Sequence, residues 1–215
     1  MNLFQYISEN FNTIMELLVE HFFLFFFSLI ITTIIGVALS IIATEEGREK
    51  IGKTILSITG AAQAVPSIAV IALVFIYVGI GKTPTIISLI IYSLVPILFN
   101  ATSGILSVPK EVIEAGKGMG FTKQQILWKL KIPIAIPVIM GGIRSAATII
   151  VGTAVIASVI GGGGLGDLIY TGLKLNRPEA LVAGAASSAL LAIIVDQILA
   201  YIEKLITPKG LTVTR

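Results

Sequence analysis

The sequence has no cysteine and a single histidine, His21, which removes disulfides, thiolate nucleophiles and Cys/His metal clusters as bases for function. Charge is scarce as well: 13% of the 215 residues are Asp, Glu, Lys or Arg, against about 25% in soluble proteins. Residues 1–20 contain no Lys or Arg, and Glu9, Glu16 and Glu20 stand where a secretory leader would be basic, so no cleavable signal peptide is expected. No G-x-x-x-x-G-K-[ST] occurs, so the chain lacks a P-loop for nucleotide phosphates. What it has in quantity is apolar surface: 55% hydrophobic residues and a mean hydropathy of +0.98. That is the composition of an integral membrane protein.

A helix needs roughly 20 mostly apolar residues to cross about 30 Å of hydrocarbon. Five stretches qualify, at 21–43, 51–79, 84–107, 132–160 and 179–203, which predicts an all-α, polytopic membrane protein forming one domain over residues 1–215. The second stretch is too long for an upright span. Gly60, the small residues Ala61, Ala62 and Ala64, and Pro66 give it a place to bend or break, so a sixth helix stays open as an alternative.

Lys and Arg fall unevenly between the connections. One side collects eleven of them, in 44–53, 108–131 and the C-terminal tail, and the other only Lys82, Lys174 and Arg177. The positive-inside rule then predicts a multi-pass protein of the cell membrane with its N-terminus outside and its C-terminus in the cytoplasm. The net charge of +3 is a topology signal, and no nucleic-acid partner is expected.

The apolar pattern is interrupted most strongly by "KEVIEAGKGMGFTKQQILWKL", within 108–131. Val108-Pro109 stops the preceding span. Two short helices are predicted beyond it, 110–117 and 122–130, the second opened by Thr122 as N-cap with Gln125 completing a capping box. Gly116, Gly118 and Gly120 should form the turn between them, or allow very close approach by a partner. By chemistry alone, a loop resting on lipid headgroups is as good a reading as a protein-docking element.

The spacing here resembles the cytoplasmic motif of binding-protein-dependent ABC importer permeases: Glu-Ala-Ala, three residues, Gly, nine residues, Ile-x-Leu-Pro. This chain has Glu114-Ala115-Gly116, Gly120, then Leu130-Lys131-Ile132-Pro133, departing at Gly116, Leu130 and Ile132 without changing the spacing. The resemblance implies that 108–131 forms coupling helices seated in a groove of an ATPase subunit. It places that role on Glu114, Ala115, Gly116 and Gly120, with Phe121 and Thr122 beside them. "AAQAVPSIAV", "VGIGKTPTIISLIIYSLVPIL", "PIAIPVIMGGIRSA" and "IASVIGGGGLGDLIYTGL" extend the likeness over essentially the whole chain, to permeases for glycine betaine, carnitine, choline and related quaternary amines. It further implies a second permease copy or a paralogue, a separate substrate-binding protein outside, and no cofactor in this chain, with ATP and Mg on the partner ATPase.

Other features are read against plainer alternatives. The run 161–166 contains G-x-G-x-x-G, but it follows a membrane helix rather than a strand, so a dinucleotide site is rejected and an external turn expected. Arg144 and Asp196 are the ionisable residues well inside spans, at similar depth, so they can pair; structural pairing or snorkelling toward the cytosol is favoured over a role in the translocation path. His21 is expected at the membrane interface. Beyond the first span the aromatics Phe75, Tyr77, Tyr92, Phe99 and Tyr201 are scattered, which suits a low-affinity passage better than a tight aromatic cage. Rivals are an ABC permease for another small solute such as an amino acid, an ion-coupled secondary transporter, for which only Asp196 offers an embedded acid, and a scaffold or intramembrane enzyme.

Overall fold

Ten α-helices follow one another in a computed structural model that describes residues 2–45 and 47–208, and no strand occurs among them. Lys209 and Arg215, two of the cations counted for orientation, lie outside the described residues. Helix α1 (Leu3–Glu9) is started by Asn2, whose side chain accepts a hydrogen bond from the Gln5 N–H at 2.9 Å. Helix α2 (Phe11–Ala43) has 33 residues. It begins ten residues before the predicted span because Ile14 is buried in the core, with Leu17 and Leu18 packed against it. Glu16 and Glu20 interrupt the hydropathy of this stretch without interrupting its helix.

The second predicted span is two helices, α3 (Glu49–Gln63) and α4 (Ser67–Val78), bent by 98°. The break falls on 64–66, where Pro66 caps α4 and donates no hydrogen bond; Gly60 sits inside α3 against the Phe99 ring. Next come α5 (Lys82–Leu106), α6 (Lys110–Gly118) and α7 (Lys123–Ile126), then a π-turn, Leu127–Lys131, leading without a break into α8 (Ile132–Ala157). A 3-10 turn, Ser158–Ile160, ends that run, and α9 (Gly166–Lys174) and α10 (Pro178–Ile206) complete the chain. Four helices are long and apolar enough to cross a membrane, five if the bent pair counts as one span.

Helix α8 is the centre of the bundle, with α5, α2 and α10 packed around it. Small residues bring the helices together, which matters in a bilayer, where lipid tails are as apolar as the side chains and association depends on close packing. A Cβ on Gly142 would lie 2.7 Å from Asn100 Cβ and 2.8 Å from the Pro96 carbonyl, so α8 meets the backbone of α5 there. Ile150, Ala146 and Ala154 of α8 and Ile97 and Leu98 of α5 are fully buried.

Candidate coupling segment, intramembrane charges and glycine loop

The segment expected to carry coupling is a helical hairpin fused to the bundle. Thr122 and Gln125 exchange both bonds of a capping box: the Gln125 N–H donates to Thr122 Oγ1 at 3.3 Å and the Thr122 N–H to Gln125 Oε1 at 2.8 Å. Its second helix differs from the prediction. Instead of stopping near 130, the chain runs as one helix of 38 residues from Lys123 to Ile160. The π-turn explains how it passes Pro133. A proline ring crowds the carbonyl four residues back and supplies no N–H. Widening the turn just before it, where the Ile132 N–H donates to the Leu127 carbonyl, absorbs that crowding without ending the helix.

The three glycines also do different things. Gly116 and Gly118 lie inside α6, and only Gly120, with φ +78°, makes the turn. Gly116 is buried, and a Cβ there would come 2.7 Å from Leu130 Cδ1, so its smallness lets α6 pack on the π-turn. Phe121 joins the same contact from one side, with Lys129 Nζ 5.5 Å from the centre of its ring on the other. Glu111, Glu114, Ala115 and Gly118 share the opposite, exposed face of α6 at helical spacing. Met119, 65% exposed at the hairpin tip, extends it. Of the six residues named for coupling, Glu114, Ala115, Gly120 and Thr122 are exposed, and Gly116 and Phe121 hold the hairpin together.

Arg144 of α8 and Asp196 of α10 form a two-pronged ion pair, Nε to Oδ1 and Nη2 to Oδ2, each 2.9 Å. A third member was missed in the sequence: Arg144 Nη1 donates to Glu203 Oε2 at 3.1 Å. Asp196 and Glu203 are seven residues apart, two turns along one helix face, and that spacing was the available signal. The fork of the guanidinium satisfies both carboxylates at once.

At the other end of the bundle the glycine-rich run forms a closed loop. Gly161, Gly163 and Gly164 all have φ near +80°. Beneath the loop lies His21, fully buried rather than interfacial, because Gly164 covers it: a Cβ on Gly164 would be 3.0 Å from His21 Nδ1. His21 Nε2–H donates to the Val151 carbonyl at 3.1 Å, and Nδ1 has no hydrogen-bond partner. Glu20 pins the loop from above, accepting from Lys82 Nζ at 2.9 Å and from the Gly164 N–H at 3.3 Å. The Gly81 N–H donates to the Ile160 carbonyl at 2.9 Å, adding the α4–α5 turn to the same knot. Asp167, at the start of α9, has its carboxyl pKa raised by burial and by the nearby Glu20 carboxylate. Among the described residues no cluster of His, Cys, Asp and Glu is arranged to hold a metal.

A helical hairpin fused to a bundle of long apolar helices describes a polytopic membrane protein. The chain belongs to the family of binding-protein-dependent transport system inner membrane components, whose profile matches residues 36–208. It is 40% identical over 192 residues to the glycine betaine/carnitine/choline transport system permease protein OpuCB of Bacillus subtilis, covering 89% of this chain and 88% of that one. The choline transport system permease protein OpuBB of the same organism is 38% identical, covering 96% and 94%. The carnitine transport permease protein OpuCB of Listeria monocytogenes is 36% identical, covering 98% and 95%. Among solved structures, an inward-facing form of the MetNI methionine ABC transporter superposes with a TM-score of 0.80 at 23% identity, over 91% of this chain and 99% of that one. At that identity the likeness establishes the fold.

Proposed function

We propose that this chain is the permease subunit of an ABC importer for glycine betaine, carnitine, choline or a related quaternary amine. The observation that carries this is similarity along nearly the whole chain to several permeases whose names specify those solutes, at 36–40% identity. The scattered aromatics, with Phe75, Tyr77, Phe99 and Tyr201 all exposed, suit a passage that leaves recognition to a separate binding protein outside the cell. In this reading the N-terminus is outside, the C-terminus and α6 are in the cytoplasm, and the chain pairs with a second permease. Two ATPase subunits, carrying ATP and Mg, supply the work.

In this reading the hairpin serves the motor as a lever. A force on the exposed face of α6 passes through Gly116 and Leu130 into the Lys123–Ile160 helix, which carries it to the middle of the bundle and, through Arg144, to α10. Rigid-body tilting of two such bundles opens one side of the path as it closes the other. Glu114, the charged residue of the motif, takes a charged hydrogen bond from the ATPase in this reading, which its exposure supports.

The test is reconstitution of the chain with its ATPase and binding protein in vesicles. ATP turnover and uptake should rise with a quaternary amine and stay flat with methionine. Stimulation by methionine alone would assign a different solute, and uptake that persists without ATP would assign a secondary transporter.

A further inference from the structure

A cavity of about 440 Å³ opens between the end of α2 and the hairpin, touching α6 at Lys117. Its size suits a small organic ligand. Its lining mixes two chemistries: Ile41, Ile126, Leu127 and Trp128 are apolar or aromatic, and Lys123 and Lys131 on the same helical run are basic, with Lys117 and Gln124 beside them. Among the described residues one acid lines it, Glu45, and that carboxylate is held by Arg48 at 2.8 Å. Phe121 borders the cavity as well as the hairpin contact.

Depth fixes what such a cavity meets. The Lys123–Ile160 helix is 38 residues long, or about 57 Å at 1.5 Å per residue, whereas a bilayer with its headgroups spans about 40–45 Å. The helix therefore extends beyond the hydrocarbon, and Trp128, in its second turn and 60% exposed, is a residue type that favours the headgroup level. The π-turn belongs to the same place: it widens the helix at Leu127–Lys131, three of whose residues line the cavity.

We infer that this cavity binds the headgroup and upper acyl chain of an anionic phospholipid from the leaflet on the α6 side. The phosphodiester would meet Lys123 and Lys131 through charge-assisted hydrogen bonds, and the glycerol and first methylenes would lie on Trp128, Leu127 and Ile41. A free phosphate would use only these lysines, and a zwitterionic lipid would bring a quaternary cation against them. The lipid wedges α2 against the hairpin and stiffens the seating of α6. Assigning this leaflet to the cytoplasm rests on the proposed function; the binding itself does not.

The full chain in nanodiscs of dioleoylphosphatidylglycerol and dioleoylphosphatidylcholine, released into native mass spectrometry, tests this. One phosphatidylglycerol should be retained, enriched about fivefold or more over its share of the bulk lipid. The double variant Lys123→Gln/Lys131→Gln should bring retention down to the bulk ratio, Trp128→Ala should lower it partly, and Lys82→Gln/Lys174→Gln at the far end should leave it unchanged. Adding inorganic phosphate should not displace the lipid. Retention at the bulk ratio in the unaltered chain, retention unaffected by Lys123→Gln/Lys131→Gln, or displacement by phosphate would each overturn the proposal. So would a finding that the double variant keeps its lipid and instead loses a co-purifying protein. Because nanodiscs carry the anionic lipid in both leaflets, a reversed topology leaves this result intact. Topology is read separately by labelling a single cysteine, Gln124→Cys, from either side of the membrane; a chain without native cysteine gives that label no background.

Discussion

Gly116, Gly118 and Gly120 between α5 and α8 and the glycines 161–164 between α8 and α9 look alike as sequence, yet the structure builds them oppositely. The first set belongs to a helix with one face wholly exposed. Only Gly120 needs its left-handed backbone, and a Cβ on Gly118 or Gly120 would meet nothing within 4 Å. The second is closed against the protein, lying on His21 and stitched to α2 and to the α4–α5 turn. In the exposed segment only Gly116 serves packing within the chain, while Gly118 and Gly120 border open space; in the closed loop the glycines serve packing already complete within it.

That contrast can be broken by substitution. The largest effect should come from Gly164→Val, which combines a φ of +80° with a Cβ landing 3.0 Å from His21. Backbone strain and overpacking of that kind cost about 2–5 kcal/mol together, so thermal unfolding in detergent should shift down clearly. An unfolding curve that does not move would mean the loop is not closed. Glu114→Lys should act the other way, leaving insertion and unfolding unchanged while ATP-driven uptake by the reconstituted complex falls at least about tenfold, the loss expected when a charged hydrogen bond becomes a like-charge contact. Normal uptake by this variant would remove Glu114 from the docking face.

A smaller effect is expected at Asp167. Its carboxyl holds a proton to higher pH in the folded chain than in the unfolded one, so folding is favoured most below the ordinary carboxylate value of about 3.9 and loses that contribution as pH rises through the raised value. Asp167→Asn should flatten this dependence in unfolding measured across acidic to neutral pH, without loss of stability at neutral pH. Smallest of all is Gly118→Ala, at an open helical position, which should raise stability by at most about 1 kcal/mol. A fall in coupled uptake without a fall in unfolding temperature would show a partner's surface against α6.

The apolar helices were legible because hydropathy over 20 residues is a bulk property that single residues cannot hide. The capping box at Thr122 and Gln125 was legible because it is local. What escaped depended on contacts between distant parts of the chain. His21 reads as interfacial from its place at the edge of an apolar run, and only Gly164, far along the chain, shows that it is covered. Pro133 reads as the start of a helix, and nothing in the residues before it announces that a π-turn lets the helix pass through. Gly116 reads as room for a partner until Leu130 is seen to fill that room. For the intramembrane charges, Arg144 and Asp196 stood out because charge is costly there, while Glu203 looked like an ordinary acid at a helix end.

The clamp of Arg144 on Asp196 and Glu203 has a mechanical consequence. Sliding α10 past α8 by one turn would separate a carboxylate from its cation, breaking charge-assisted hydrogen bonds between the two helices. The ion triad thus keys these two helices against sliding past one another, whereas α3 and α4, which meet at 98° around Pro66, have no such clamp between them among the described residues.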